Sequence, residues 1–408
     1  MRNSMKSILA ALVLATPLAL ASCEGALDDV LGEWSRPIPG NNNNTNTTPS
    51  TTIEYVEYTV SGTTASPSTK SLAEGEYTAI ASGLTSLSAD KPYVVNDDIT
   101  LDGNVTLTGD AKIILCDGKT LTINGYLGEA PAAPTHSLLI YGQTGQTGKL
   151  IVKTTDGNYP IRVYDLKIHG GDISSKDVGT GNDTQGIYTE HDFDIYNGKI
   201  EAFGTMEGVM VNVGGTLTTY GGSLEATTSV SSWSAGQGSV AIMGTIIMNG
   251  GAITATGGDA TATSTKAGGD AIDGTLTVNG GTLTATGGAG DGTGYGGAGI
   301  AGIATFDGGT ITAKGIENSA INPSGAININ NGITSVTLIS TAATANPASS
   351  TNWIALGSGS LSFGGTDISG GWVSTSFADP EASHQYSTTT IAVERDGTSL
   401  ILTKYVAP

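Results

Sequence analysis

Cysteine, basic side chains and long apolar runs are all scarce in this sequence, and each shortage closes off a class of protein. With two cysteines in 408 residues, Cys23 and Cys116, no disulfide framework is available, so stability must come from burial. Lys and Arg number 17 against 37 Asp and Glu, a formal charge of −20, which repels phosphate backbones and argues against a nucleic-acid partner. Only 13% of residues are charged at all, the mark of a solvated extracellular surface. The longest apolar run, Ile8 to Leu20, is too short for a stable bilayer span, and no stretch repeats with the 3.6-residue period of a helix. HEXXH, CXXC, a nucleophile elbow and a phosphate-binding loop in a strand-to-helix context are all missing.

What the chain does have is glycine, 60 residues of it, set out as a ladder. Glycine doublets or near-doublets end at Gly171, Gly198, Gly222, Gly251, Gly281 and Gly309, spaced 24 to 30 residues apart. Two residues after each stands Ile173, Ile200, Leu224, Ile253, Leu283 or Ile311, and four after stands Ser175, Ala202, Ala226, Ala255, Ala285 or Ala313. Self-similarity at this period marks a solenoid. Each unit parses into three short strands, in the clearest case 270–272, 275–279 and 282–286, with glycine at the corners, where a positive φ or a close backbone approach excludes a Cβ.

Period-two alternation then assigns faces. Three and five residues before each anchor lie Ile168 and Leu166, Ile195 and Phe193, Thr219 and Leu217, Met248 and Ile246, Val278 and Leu276, Phe306 and Ala304, an inward set. The first strand repeats a small residue and then an aliphatic one, as in Gly186 Ile187 and Ala271 Ile272, which supplies a third wall. The pattern predicts an all-β, right-handed parallel β-helix with three strands per coil of roughly 24–30 residues. A hairpin sandwich would not keep its faces over so long a period.

Domain expectations follow: a signal peptide at 1–22, a flexible Asn/Thr-rich tether at 23–52 containing NNNNTNTTPSTT, an N-terminal cap region at 53–92, the β-helix at 93–340 and a C-terminal cap at 341–408. The cap would close the open end of the stack, after a slip of register at Gly332, which Ile333 follows one residue too early.

Three resemblances add to this reading. Basic Arg2 and Lys6, the apolar run and then Leu20 Ala21 Ser22 Cys23 resemble the lipobox of bacterial lipoproteins, which implies cleavage before Cys23 and a lipid anchor on that residue. Glu24, Asp28 and Asp29 resemble the acidic surface-export signals of lipoproteins in Gram-negative gut bacteria, which implies an outer-membrane, cell-surface location. The strings IILCDGKTLTI, SLLIYGQTGQTGKLIV and GGDAIDGTLTVNGGTLTATGG followed by GGAGIAG resemble the repeats of β-helical surface proteins of gut bacteria, carbohydrate-binding domains and adhesins among them. In sugar-binding relatives, acids in GDAI-like segments bind calcium, and the matching positions here are Asp270, Asp273 and Asp259. The other coils depart from that pattern, with Gln185, Ser239, Gly297 or Asn318 at the equivalent position.

Candidate chemistry lies on outward positions of the second strand. Just before the glycine corner come His169, Tyr196 and Tyr220, then Asn249, Asn279 and Asp307, with Lys167 over Asp194 and Asp165 over Asp192 beside them. Rings flanked by carboxylates suit a sugar, which needs apolar faces and acceptors for its hydroxyls. Aromatic stacks also cover β-helix corners, and exposed acids also solvate a sheet. A hydrolase would need a carboxyl pair, for which Asp192 and Asp194 are the nearest candidates, and a lyase a strong cation, for which Arg162 is the one arginine of the array. The expected function is a non-catalytic, lipid-anchored surface protein that binds a glycan or a host or envelope component. A polysaccharide lyase or hydrolase and a structural spacer are the alternatives.

Overall fold

The computed structural model describes residues 52–341 other than 180–183, 230–235, 262–265, 292–294, 317–320, 323–325 and 331, and beyond 341 the backbone of five short strands. The signal peptide, Cys23, nearly all of the tether and the side chains of the C-terminal cap lie outside the described residues. Every regular element described is a β-strand. The strands stack in parallel, coil upon coil, as a β-helix with three walls. One coil runs Ile161–Val163, Leu166–Ile168, Asp172–Asp177, and the next Gln185–Thr189, Phe193–Ile195, Lys199–Gly204, each strand pairing with its equivalent in the next coil.

The apolar rows are continuous through the stack. On the first wall Ile161, Ile187, Val209, Ile242, Ile272, Ile300 and Ile321 pair in series. On the second run Leu166, Phe193, Leu217, Ile246, Leu276, Ala304 and Ile327, and on the third Ile173, Ile200, Leu224, Ile253, Leu283, Ile311 and Val336. All are buried. Each large aliphatic chain so covered is worth about 1.5–3 kcal/mol of transfer free energy. The small residues have a separate cause, a narrow corner where the third wall returns to the first. A Cβ on Gly186 would stand 2.7 Å from the backbone of Phe203, and Ser175 Oγ donates to Gly186 O across the same gap at 2.5 Å.

Three details depart from expectation. The strand break at Asp273 and Gly274 is absent, since in three successive coils the first two walls run together as single bent strands, Ile242–Met248, Ile272–Val278 and Ile300–Phe306, before Ile321–Asn322 and Ile327–Ile329 stand apart again. The bends stack on Gly244, Gly274 and Gly302, and a Cβ on Gly274 would lie 2.0 Å from Gly244 O. The helix also starts before residue 93, because Thr78–Ala79 and Ser86–Leu87 already pair with it. Finally, residues 53–72 form an antiparallel hairpin, Ile53–Ser61 with Thr64–Leu72, which packs along the outer side of the second wall. Beneath it Ile53, Tyr55, Leu72 and Tyr77 enclose a small core of Val94, Ile114, Cys116 and Tyr141, and burial pushes the Cys116 thiol up. The predicted slip near Gly332 is present as a register shift between Gly309 and Thr310, which pair with Ile333 and Ser335.

Gly274→Ala combines a steric clash with a φ of +145° that an L side chain disfavours, and should lower unfolding free energy by more than about 2 kcal/mol in urea titrations. Gly62→Ala, at a positive φ but in open space at the hairpin turn, should cost about 1 kcal/mol or less.

Candidate functional site

The outer face of the second wall carries three rows, set by the alternation of its strands. Nearest the glycine corner, Tyr141, His169, Tyr196 and Tyr220 stack almost parallel, with centroids 4.6, 4.4 and 5.3 Å apart and interplanar angles of 7°, 15° and 6°. At these separations each ring lies on the next, so faces are taken within the stack and edges point outward. The row continues as amides, Asn279 Nδ2 donating to Asn249 Oδ1 at 2.7 Å and Asn330 Nδ2 to Asp307 Oδ1.

The hairpin closes over the upstream half of that row. Tyr55 meets Tyr141 edge-on at 5.0 Å, and Tyr58 stacks at 6.4 Å from both His169 and Tyr196. The Tyr58 amide donates to His169 Nδ1 at 2.9 Å, Asn197 Nδ2 donates to the Tyr58 hydroxyl at 2.9 Å, and Gln143 Nε2 donates to Glu54 O at 2.9 Å. With 5% of its surface exposed, His169 is a docking post for the hairpin. Burial, with the charges of Lys167 and Lys112, lowers its pKa from 6.5 to about 4 and keeps Nδ1 free to accept. Burial and then the neighbouring Asp194 hold the Tyr196 hydroxyl well above the usual phenol range.

The middle row brings Lys167 and Asp194 level with each other. Asp194 Oδ2 accepts from Lys167 Nζ at 3.1 Å and from the Tyr196 hydroxyl at 3.2 Å. Burial raises the Asp194 pKa despite these two donors, while the bond to Asp194 raises that of Lys167 against its own burial.

The third row explains acids that the sequence left open. Asp110 Oδ1 accepts the Ser137 N–H at 2.9 Å, Asp165 Oδ1 the Asp192 N–H at 3.0 Å, and Asp192 Oδ1 the Thr216 N–H at 3.0 Å. Each carboxylate thus caps a backbone donor of the following coil at a corner, where no strand carbonyl faces it. The same bond recurs from Asp98 to Thr120 N–H at 2.8 Å, from Asp259 to Ala289 N–H at 2.7 Å and from Asp270 to Ala298 N–H at 2.6 Å.

Asp270 and Asp259, matched to calcium ligands by resemblance, therefore hold backbone. Burial raises the Asp270 pKa to about 6, and burial raises that of Asp273 too. Counted from the Ile242–Ile272 and Ile272–Ile300 pairs, Val240 and Ala298 stand level with Asp270, not Ser239 and Gly297. Neither has a side-chain oxygen to add to those of Asp270 and Asp273. Arg162 lies on the first wall, its Cζ 5.4 Å from the ring centroids of both Tyr159 and Tyr188, whereas Asp194 lies on the second.

Of the predicted residues, Lys167, Asp194 and Tyr196 form one bonded centre, Asp165 and Asp192 flank it, Tyr220 extends the ring row, and His169 sits beneath the hairpin. Missed were Tyr141, Tyr58 and His191. Tyr141 precedes a glycine like the other row members, which was the available signal; Tyr58 gave none, since nothing local says where a hairpin docks.

Asp192→Ala leaves the Thr216 N–H without its acceptor and should cost about 1–3 kcal/mol in chemical denaturation, whereas Asp192→Asn, which keeps an oxygen, should cost less. For the hairpin, the undocked state takes up the His169 proton first, because docking depresses that pKa. Docking is then at full strength above pH 6.5 and is lost progressively as pH falls toward about 4, a change readable by amide exchange at Tyr58. His169→Gln should flatten that dependence. Comparison with protein-family models, curated proteins and solved structures yields no match, so the geometry of this face is the ground for its function.

Proposed function

We propose that this chain is a lipid-anchored protein of the bacterial outer membrane, exposed at the cell surface, that binds glycans through the outer face of its second wall without catalysis. The observation that carries the reading is the centre at Asp194, where one carboxylate oxygen takes both Lys167 and Tyr196 on a rigid parallel sheet. Around it stand Asp165 and Asp192, and the Tyr220 ring continues beyond the hairpin. A hydroxyl-rich ligand is recognised by such fixed donors and acceptors beside an apolar ring. Its apolar contact would be the outward edge of Tyr220, since Asn249 of the next coil follows that ring in the row.

Binding without turnover is supported by how these acids are engaged. A hydrolase needs one carboxyl group to deliver a proton and another to act as base or nucleophile. Asp165 and Asp192 each hold a backbone N–H, and Asp194 is held by an ammonium group and a phenol on the same oxygen.

On a glycan array and in affinity gels, Lys167→Met with Asp194→Asn should weaken retention by tenfold or more, the loss of about 1.5–3 kcal/mol from a charged hydrogen bond, with far-UV circular dichroism unchanged. Release of reducing ends or unsaturated sugars by the purified protein would identify an enzyme instead. A blank array together with specific capture of an envelope or host protein would identify an adhesive spacer.

A further inference from the structure

The corner leading from the first wall into the second holds a group of side chains centred on His191, a residue that the glycan reading does not use. Tyr164 and Asp165 come from one coil, His191 and Asp192 from the next. His191 Nδ1 lies 3.1 Å from Asp165 Oδ1 and 3.3 Å from Asp192 Oδ2, and one ligand atom from each of the three residues falls within 4.8 Å of the other two. Only one hydrogen can sit on that nitrogen, so it can serve one of the two carboxylates facing it. The nearby ammonium of Lys167 is bonded to Asp194.

The spacing is that of a metal's coordination shell. Ligands about 2.0–2.1 Å from a tetrahedral ion stand about 3.3–3.4 Å from each other, and both nitrogen–oxygen separations are already close to that edge. The surrounding residues fix the donors from outside the group. Tyr164 stacks on the His191 ring at 5.5 Å and 11°, Ser137 Oγ donates to Asp165 Oδ2 at 3.1 Å, and the Thr216 N–H occupies Asp192 Oδ1, which leaves Oδ2 turned to the imidazole. Such outer hydrogen bonds and ring contacts orient metal ligands in general.

We propose that Asp165, His191 and Asp192 form a binding site for a divalent transition ion of the zinc class, with three protein ligands and the fourth position open to solvent. One imidazole and two carboxylates suit zinc or cobalt, whereas calcium and magnesium call for shells of oxygen alone. Because the ligands come from two successive coils, the bound ion bridges them, and occupancy stabilises the folded chain by linkage.

Titration of the purified full chain with Zn²⁺ alone, and with Co²⁺ alone, tests this by calorimetry, by the visible bands of tetrahedral cobalt and by thermal unfolding. The expected result is one ion per chain, a raised Tm, and at least tenfold weaker binding in His191→Ala and in Asp192→Asn. The second variant keeps an acceptor for the Thr216 N–H, so it reports on the ion even if His191→Ala folds poorly. His136→Ala, at the separate His136–Glu129 pair, should leave binding unchanged. Absence of saturable uptake, or uptake that survives Asp192→Asn and His191→Ala alike, would overturn the proposal, as would equal binding of Ca²⁺.

Discussion

Parallel stacking of one coil on the next, at one strand spacing of about 4.8 Å, is the constraint on which everything else in this protein depends. Along the strands it is satisfied by backbone ladders that run from Ile99–Leu101 to Ile333–Thr341 on the third wall. At the corners some backbone bonds between coils continue, as from the His191 N–H to Tyr164 O and from the Tyr196 N–H to Ile168 O, but single amides there are left to side chains. Carboxylates complete the stack, with Asp98, Asp110, Asp165, Asp192, Asp259 and Asp270 each accepting an amide of a following coil. Part of the acidity that looks like a solvated surface is therefore part of the scaffold. A net charge of −20 opposes compaction, yet an ionised carboxylate is the stronger acceptor for an amide.

The same constraint fixes where recognition is possible. Rings at equivalent positions of successive coils are forced face to face, so the row from Tyr141 to Tyr220 turns edges outward and gives an external partner edges in place of faces. The hairpin exploits this row, docking through Tyr55, Tyr58 and the His169 imidazole. What stays open beside it is polar, centred on Asp194 and bounded by the aspartates of the neighbouring row. The proposed glycan-binding role rests on that polar surface more than on the ring stack.

Much of the fold was legible in the sequence because a solenoid repeats its solution. The glycine anchors put Ile173, Ile200 and Leu224 in one buried row and His169, Tyr196 and Tyr220 in one outward row, and both assignments hold. Interactions between the repeat and something outside it were not legible. The docking of residues 53–72 on the second wall is a contact over more than a hundred residues, Tyr58 to His169, with no local sign. Nor could spacing tell whether Asp165 and Asp192 serve a ligand or a backbone amide, since an outward acid reads alike in both roles. Within the repeat, Gly274 read as a break because positive φ accompanies both turns and bends; the seven-residue pairing of Ile242–Met248 with Ile272–Val278 makes it a bend.

The claim that corner carboxylates are structural members of the stack is tested most directly by native-state hydrogen exchange, resolved by residue. The amides of Ser137, Asp192, Thr216, Ala289 and Ala298 should exchange as slowly as strand amides of the same coils, since the bonds that protect them open only when coils separate. Exchange at the rates of the exposed hairpin turn at Gly62 would contradict the account and return these acids to the solvent.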